Sequence, residues 1–398
     1  MSAKISNLDS KIKPSGTMAI SNKARELRAE GKSVISFGAG EPDFPTPEYV
    51  VEDVKKAASN PINHKYSPAA GLEGLRSEIS RTTKEYSKFE VDPSNIVVTN
   101  GGKQAILTAF LSVLDPEDEV IIPSPFWTTY PESVKIAGGN PVTLETTKEN
   151  GFKFTVSDLE ALKTNKTKLL IWCSPSNPTG VVYTKEEAEG IYNWAFENNI
   201  WIMSDELYEH LVYEGENTPS PAIYDPELKN TIVVNGVSKA YAMTGWRVGW
   251  IIANKEVIGL SKKIQSQATS NVSNLSQIAA ESALSNGLEV TNEMKIAFNR
   301  RREFAINKIN SIKDIGVENS VGAFYLFIDV RPYCDGSIDG INSSNDFCDF
   351  LLEKYFIAFV PGEAFGAPGF MRLSYALGDD ELEDGLNRLE KAINDLNV

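Results

Sequence analysis

Lys239 stands in "SKAYAMTGWRVGW" (238–250), between an apolar run that should be buried and another that is mostly aromatic and apolar. Burial disfavours a charged ammonium, so such an amine either snorkels to water on its stem or is held there as a nucleophile or base. Only two histidines occur, His64 and His210, so a proton carrier in this chain is expected to be a lysine. Asp205 closes the apolar run "IWIMSD", where a carboxylate either caps the next helix or faces a ligand cation. Asp205, Glu206, Glu209 and His210 together also suggest a metal cluster. One histidine without H-E-x-x-H spacing argues against that, and no metal is expected. "NGGK" (100–103) either offers backbone amides to an anion at a helix start or makes a tight turn. Trp127, after "SPF", is either core or a platform for a flat ring. Asn177 lies between two prolines in "SPSNPTG", and a turn alone does not need it.

All these residues follow strand-like segments. "NIVVT" (95–99), "DEVIIP" (118–123), "TKLLIWCS" (167–174), "IWIMSDE" (200–206), "TIVVNG" (231–236) and "WRVGWIIA" (246–253) are short apolar runs separated by helical patterns. That alternation predicts an α/β fold with a mostly parallel central sheet covered on both faces. Ligands of such sheets bind beyond the carboxyl ends of the strands, where "NGGK", "SPFW", "SPSNPTG", "SDELY" and "SKAYAMTGWR" all fall. Further on, "GAFYLFIDV" (322–330), "IAFVPG" and "FMRLSYAL" (370–377) alternate with helical patterns and predict a smaller α/β unit. The predicted division is a large domain over 46–295 and a small domain over 1–45 and 296–398.

The 398 residues are 41% hydrophobic and 23% charged, the composition of a water-soluble chain. With 39 basic against 54 acidic residues, a formal charge of −15 and no Lys/Arg cluster, nucleic-acid binding is not expected. No uninterrupted apolar stretch reaches the roughly 18 residues of a membrane span. The opening "MSAKISNLDSKIKPSG" lacks the apolar core of a secretion signal. Cys173, Cys334 and Cys348 form no C-x-x-C, so a reducing, cytoplasmic setting without structural zinc is expected. Neither G-x-x-x-x-G-K-[ST] nor G-x-G-x-x-G occurs, which removes the main support for a nucleotide ligand.

In their order, "GAGEPDF", "KYSPAAG", "GGKQA", "SPSNPTG", "SDELYEHLVYEG" and "SKAYAMTGWRVG" resemble the class I aminotransferase family, nearest its bacterial-type aspartate aminotransferase branch. The likeness runs from "KPSGTMAISNKARELRAEG" to "MRLSYA". It implies the type I pyridoxal-phosphate transferase fold and pyridoxal 5′-phosphate as cofactor. Lys239 is then the residue that carries the cofactor aldehyde on its amine and, once displaced by substrate, moves the Cα proton. Asp205 is implied at the pyridinium nitrogen, with Asn177 and Tyr208 at the phenolic oxygen and Trp127 stacked on the ring. The phosphate is implied against the amides of Gly102 and Lys103, with Ser238 and Arg247 completing the cradle. Tyr66 is implied to reach the phosphate of a neighbouring subunit, which makes the active unit a homodimer with shared sites. Arg372 is implied at the substrate α-carboxylate, with Gly40, Asn177 and Trp127 beside it.

A departure concerns specificity. Better-known aspartate aminotransferases read the side-chain carboxylate with a second arginine, and this sequence has no clear counterpart. The branch instead carries lysines, here Lys103 in "GGKQ" and Lys13 in the opening "K-P-S-x-T". The expected activity is amino transfer between aspartate or glutamate and 2-oxo acids such as oxaloacetate and 2-oxoglutarate, with prephenate-to-arogenate conversion in addition. The rivals are another reaction on the same cofactor (an aromatic aminotransferase or a C–S lyase), a non-catalytic regulator domain, and a structural protein. A regulator is expected to carry a DNA-binding segment, for which the residues before "KPSGTMA" leave no room.

Overall fold

The computed structural model describes residues 4–215 and 219–396. A short strand, β1 (Ile35–Ser36), precedes the central sheet. That sheet takes β2 (Ile96–Thr99), β3 (Glu119–Ser124), β4 (Asn140–Glu145), β5 (Thr167–Cys173), β6 (Trp201–Asp205), β7 (Thr231–Gly236) and β8 (Gly249–Ile252). Their spatial order is β2-β8-β7-β6-β5-β3-β4. Every residue of β2, β7 and β8 is buried, which is why these strands read as unbroken apolar runs. The intervening helices cover both faces, and their starts are written locally. Thr184 and Glu187 form a reciprocal capping box on the helix Lys185–Glu197, as do Thr155 and Asp158 on Val156–Leu162.

The structure departs from the sequence expectation in two places. β4 is an extra edge strand that pairs only with β3, and Leu144 is its one buried residue. With Leu144 alone buried, β4 does not show as an apolar run, unlike the opposite edge strand β2, which is buried throughout. The strand expected over 246–253 begins only at Gly249. Ahead of it, Thr244–Trp246 form a 3-10 turn and Arg247 is left-handed at φ 56°. β8 also runs antiparallel to both of its neighbours, β2 and β7, whereas the remaining pairs are parallel.

A second sheet is built from β9 (Gly316–Val317), β10 (Tyr325–Asp329), β12 (Val360–Pro361) and β13 (Phe370–Ser374), in the order β12-β13-β10-β9. β11 (Ile357–Ala358) pairs in parallel with β1 instead, joining the N-terminal segment to this unit. Ala24 and Val34 pack there with Leu352 and Ala358. The helix Glu289–Asn310 sends Met294 and Phe298 into the core that also holds Phe324, Tyr325 and Tyr375. Among the described residues, no helix is long and apolar enough to cross a membrane.

Candidate active site

The carboxyl ends of the parallel strands open on a cavity of about 490 Å³, closed on the far side by Gly40 after β1 and Arg372 of β13. Glycines set the floor. A Cβ on Gly249 would lie 2.7 Å from the carbonyl carbon of Gly101 and from the nitrogen of Gly102, so only glycine lets these backbones meet. Gly101, at φ +84°, starts the helix Gly102–Val113 with no side chain capping it. A Cβ there would stand 2.6 Å from Arg247 Nη2, so the left-handed Arg247 lays its guanidinium across the uncapped amides. Buried Ser238 lines the same corner. An open helix N-terminus, an arginine and a hydroxyl form a site for a dianion such as phosphate.

Lys239 follows directly, its Nζ donating to the Gly40 carbonyl at 2.5 Å. Burial pushes the amine down to about 8; Glu41 and Asp205 oppose that, while Arg372 and Arg247 reinforce it. A lowered amine pKa means that the neutral, nucleophilic form is present above about pH 8 and lost below it. Addition of an aldehyde cofactor to the apoprotein should therefore rise with pH and level off near 8, well below the roughly 10.4 of an unperturbed lysine. Stopped-flow absorbance between pH 6 and 10 checks this, and a rate still climbing above pH 9.5 contradicts it.

Asp205 is buried at the end of β6. Its Oδ2 accepts from Tyr130 Oη at 2.6 Å and its Oδ1 from the Leu207 amide at 3.3 Å. Burial raises its pKa, although both bonds and the Lys239 charge pull it down. Glu206 faces a different cavity, with Glu209 and His210, and is bonded by Ser204 and Ser220. The strand alternation thus separates Asp205 from the three residues that suggested a metal cluster. Trp127 sits half-buried at the rim, with Lys103 Nζ 5.4 Å from its ring. Burial and the Arg247 charge lower the Lys103 pKa.

Arg372 is 1% exposed. Its Nη1 donates to Asn177 Oδ1 and its Nη2 to the Gly38 carbonyl, each at 3.0 Å. Its Nε, also buried, has no hydrogen-bond partner among the described residues. Tyr208 is buried beside it, with its Oη 2.8 Å from that of Tyr325.

The cavity thus gathers Gly40, Gly102, Lys103, Trp127, Asn177, Asp205, Tyr208, Ser238, Lys239, Arg247 and Arg372. Tyr66, expected at the phosphate of a neighbouring subunit, is 89% exposed. Lys13 is not in the cavity lining; it is exposed and gives its backbone amide to Glu132 Oε2 at 2.8 Å. Ser15 and Thr17, just beyond Lys13, do line it. Sequence reasoning missed Tyr130, Tyr325 and Glu41. Tyr130 comes three residues after Trp127, a spacing that signals proximity; Tyr325 sits inside "GAFYLF" and reads as core.

The sequence profile described as "Aminotransferase class I and II" matches residues 32–389. The chain belongs to this family. It is a pyridoxal-phosphate-dependent aminotransferase. It is 48% identical to an aspartate aminotransferase of Streptomyces avermitilis over 96% of this chain and 95% of that one. It is 41% identical to an aspartate/prephenate aminotransferase of Nitrosomonas europaea, over 97% of this chain and 98% of that one. The solved aspartate aminotransferase of Thermus thermophilus with maleate superposes with a TM-score of 0.93 at 38% identity, covering 98% of this chain and 100% of that one.

The residues present fit the family's cofactor. The uncapped helix start with Arg247 suits its phosphate. The buried Asp205, whose pKa burial holds up, suits a pyridinium N–H that would supply a counter-cation.

Proposed function

We propose that this aminotransferase is dicarboxylate-selective, moving the amino group between aspartate or glutamate and 2-oxo acids, and that it also aminates prephenate to arogenate. Five cationic residues line the cavity, Arg25, Lys103, Lys239, Arg247 and Arg372. With Lys239 and Arg247 assigned to the cofactor, the observation that carries this reading is that Arg372 and Lys103 share that cavity. Arg372 receives the substrate α-carboxylate. Its buried Nε is a donor without an acceptor among the described residues, a costly arrangement that a bound carboxylate relieves. Lys103 receives the second carboxylate, which offsets the cost of holding an ammonium beside Arg247. The named activities of the relatives from Streptomyces avermitilis and Nitrosomonas europaea agree with this substrate class.

The bound cofactor supplies the electron sink for charge developing at the substrate Cα. Asp205 holds the proton on the ring nitrogen, and Tyr130 orients Asp205 through the 2.6 Å bond. Trp127, which lines the cavity, would stack on the ring. Asn177 and Tyr208 address the phenolic oxygen, Asn177 being held in place by Arg372. The backbone amides of Gly102 and Lys103, with Ser238 and Arg247, would bind the phosphate. Lys239 would hold the cofactor through Nζ and, once displaced, would take the proton from the substrate Cα, which its lowered pKa permits near neutral pH. Gly40 keeps the approach to Arg372 open, since a Cβ there would stand 3.2 Å from Tyr325 Oη and 4.0 Å from Arg372 Nη2.

The working form is proposed to be a cytoplasmic homodimer in which Tyr66 completes the partner's phosphate site. In support, Tyr66 at 89% and nearby Ile62 at 61% are large side chains left in water by a single chain.

The substrate reading is tested by kcat/KM for aspartate, glutamate, phenylalanine, oxaloacetate and prephenate. A charge-assisted contact is worth roughly 1.5–3 kcal/mol, so Lys103→Ala should lose about ten- to a hundredfold on dicarboxylates. Phenylalanine should be spared. Lys13→Ala should depress prephenate use more than oxaloacetate use. Equal losses on mono- and dicarboxylates would show that neither lysine reads the second carboxylate.

A further inference from the structure

Tyr325 stands between two groups of the site. Its Oη lies 2.8 Å from Tyr208 Oη, and its ring centroid lies 4.4 Å from the Arg372 guanidinium carbon. Its residue is 0% exposed and lines the cavity. The sheet register makes this contact a designed one. On the β10–β13 pair Tyr325 is opposite Ser374 and Phe327 opposite Arg372, so Tyr325 and Arg372 are diagonal neighbours on one face. Phe365, with its ring 5.1 Å from the same guanidinium, supplies a second aromatic surface.

We propose that Tyr325 is a positioning residue that couples substrate-carboxylate binding to the state of the cofactor, through its ring on Arg372 and its hydroxyl on Tyr208. The proposal rests on the roles given above to Arg372 and Tyr208. A guanidinium over a phenol ring draws electron density from it and makes the O–H a better donor. Burial raises the Tyr325 pKa, and Arg372 opposes that rise. At 2.8 Å either hydroxyl can be the donor; in the arrangement proposed here Tyr325 donates to the Tyr208 oxygen. The Tyr208 hydrogen is left free to point at the phenolic oxygen of the cofactor, and the donated bond strengthens it as a donor. The ring meanwhile fixes the guanidinium plane without consuming any of its N–H groups, so Nε stays available to substrate. A leucine at this position would fill the core but do neither.

Two variants separate the two halves in the holoenzyme. Tyr325→Phe keeps the ring and removes the hydroxyl; Tyr325→Leu removes both. The first readout is the pKa of the bound cofactor, taken from its absorbance between pH 5 and 9 without substrate. Weaker donation to the phenolic oxygen raises its proton affinity, so both variants should shift this pKa upward by about half a unit to one unit. The second readout is the Kd of maleate. Tyr325→Phe should stay within about twofold of wild type, while Tyr325→Leu should weaken binding about tenfold. Tyr208→Phe and Arg372→Lys are run beside them. An unmoved cofactor pKa in Tyr325→Phe overturns the proposal, as does equal weakening of maleate in the two Tyr325 variants. If Tyr208→Phe leaves the pKa and Arg372→Lys leaves the maleate Kd unchanged, the underlying roles fall, and the coupling with them. Effective controls with silent Tyr325 variants sink the coupling alone.

Discussion

Lys239→Ala should purify as a folded protein that binds pyridoxal phosphate without covalent attachment and has lost about four orders of magnitude in transamination, or more. The size follows from two losses at one atom, the nucleophile that holds the cofactor and the base that moves the Cα proton. The fold should survive because, among the described residues, Lys239 Nζ makes one hydrogen bond, to Gly40 O, and burial already penalises its charge. Removing a group held at a depressed pKa does not strip the core of a stabilising partner. Circular dichroism gives the fold, and borohydride reduction followed by tryptic mapping gives the attachment point. In wild type the pyridoxyl group should appear on the peptide containing Ser238 and Lys239. A pyridoxyl group on any other lysine would remove Lys239 from its role.

Asp205→Asn should keep both fold and cofactor yet slow Cα–H cleavage about a thousandfold, with KM changed less than about tenfold. A carboxylate favours a proton on the ring nitrogen and an amide does not. Each pKa unit lost there is about 1.4 kcal/mol of differential interaction. The single amide oxygen can still accept from Tyr130 Oη in place of Oδ2, giving up the longer 3.3 Å bond from the Leu207 amide, so the end of β6 should stay folded. The test is single-turnover absorbance with aspartate and with glutamate. Rates matching wild type would mean that the ring nitrogen is not served by Asp205.

The sequence alone determined where the site lies. Runs such as 231–236 and 201–205 are apolar on both faces because helices cover both, and that is a local signal, carried by neighbouring residues. A polar residue at the end of such a run has one place to go, the carboxyl edge of the sheet. So Asp205, Asn177, Lys239 and the turn before Lys103 could be assigned to one cavity before any contact was known. The ordered motifs added the family, and the family its cofactor.

Only the tertiary structure decided what depends on the direction and register of distant segments. Nothing in "WRVGWIIA" tells that β8 runs backwards, or that Arg247 must turn left-handed to cross the amides after Gly101. β4 is invisible in the sequence because it buries one side chain, Leu144. Tyr325 reads as core, and it is fully buried; its meeting with Arg372 and Tyr208 follows from the β10–β13 register and from β1 placing Gly40 opposite. Tyr130 reaches Asp205 through the packing of the helix Thr129–Ile136 on the sheet. Periodicity records which face of an element is buried. It does not record which other element buries it, and these contacts are made by elements far apart in the chain.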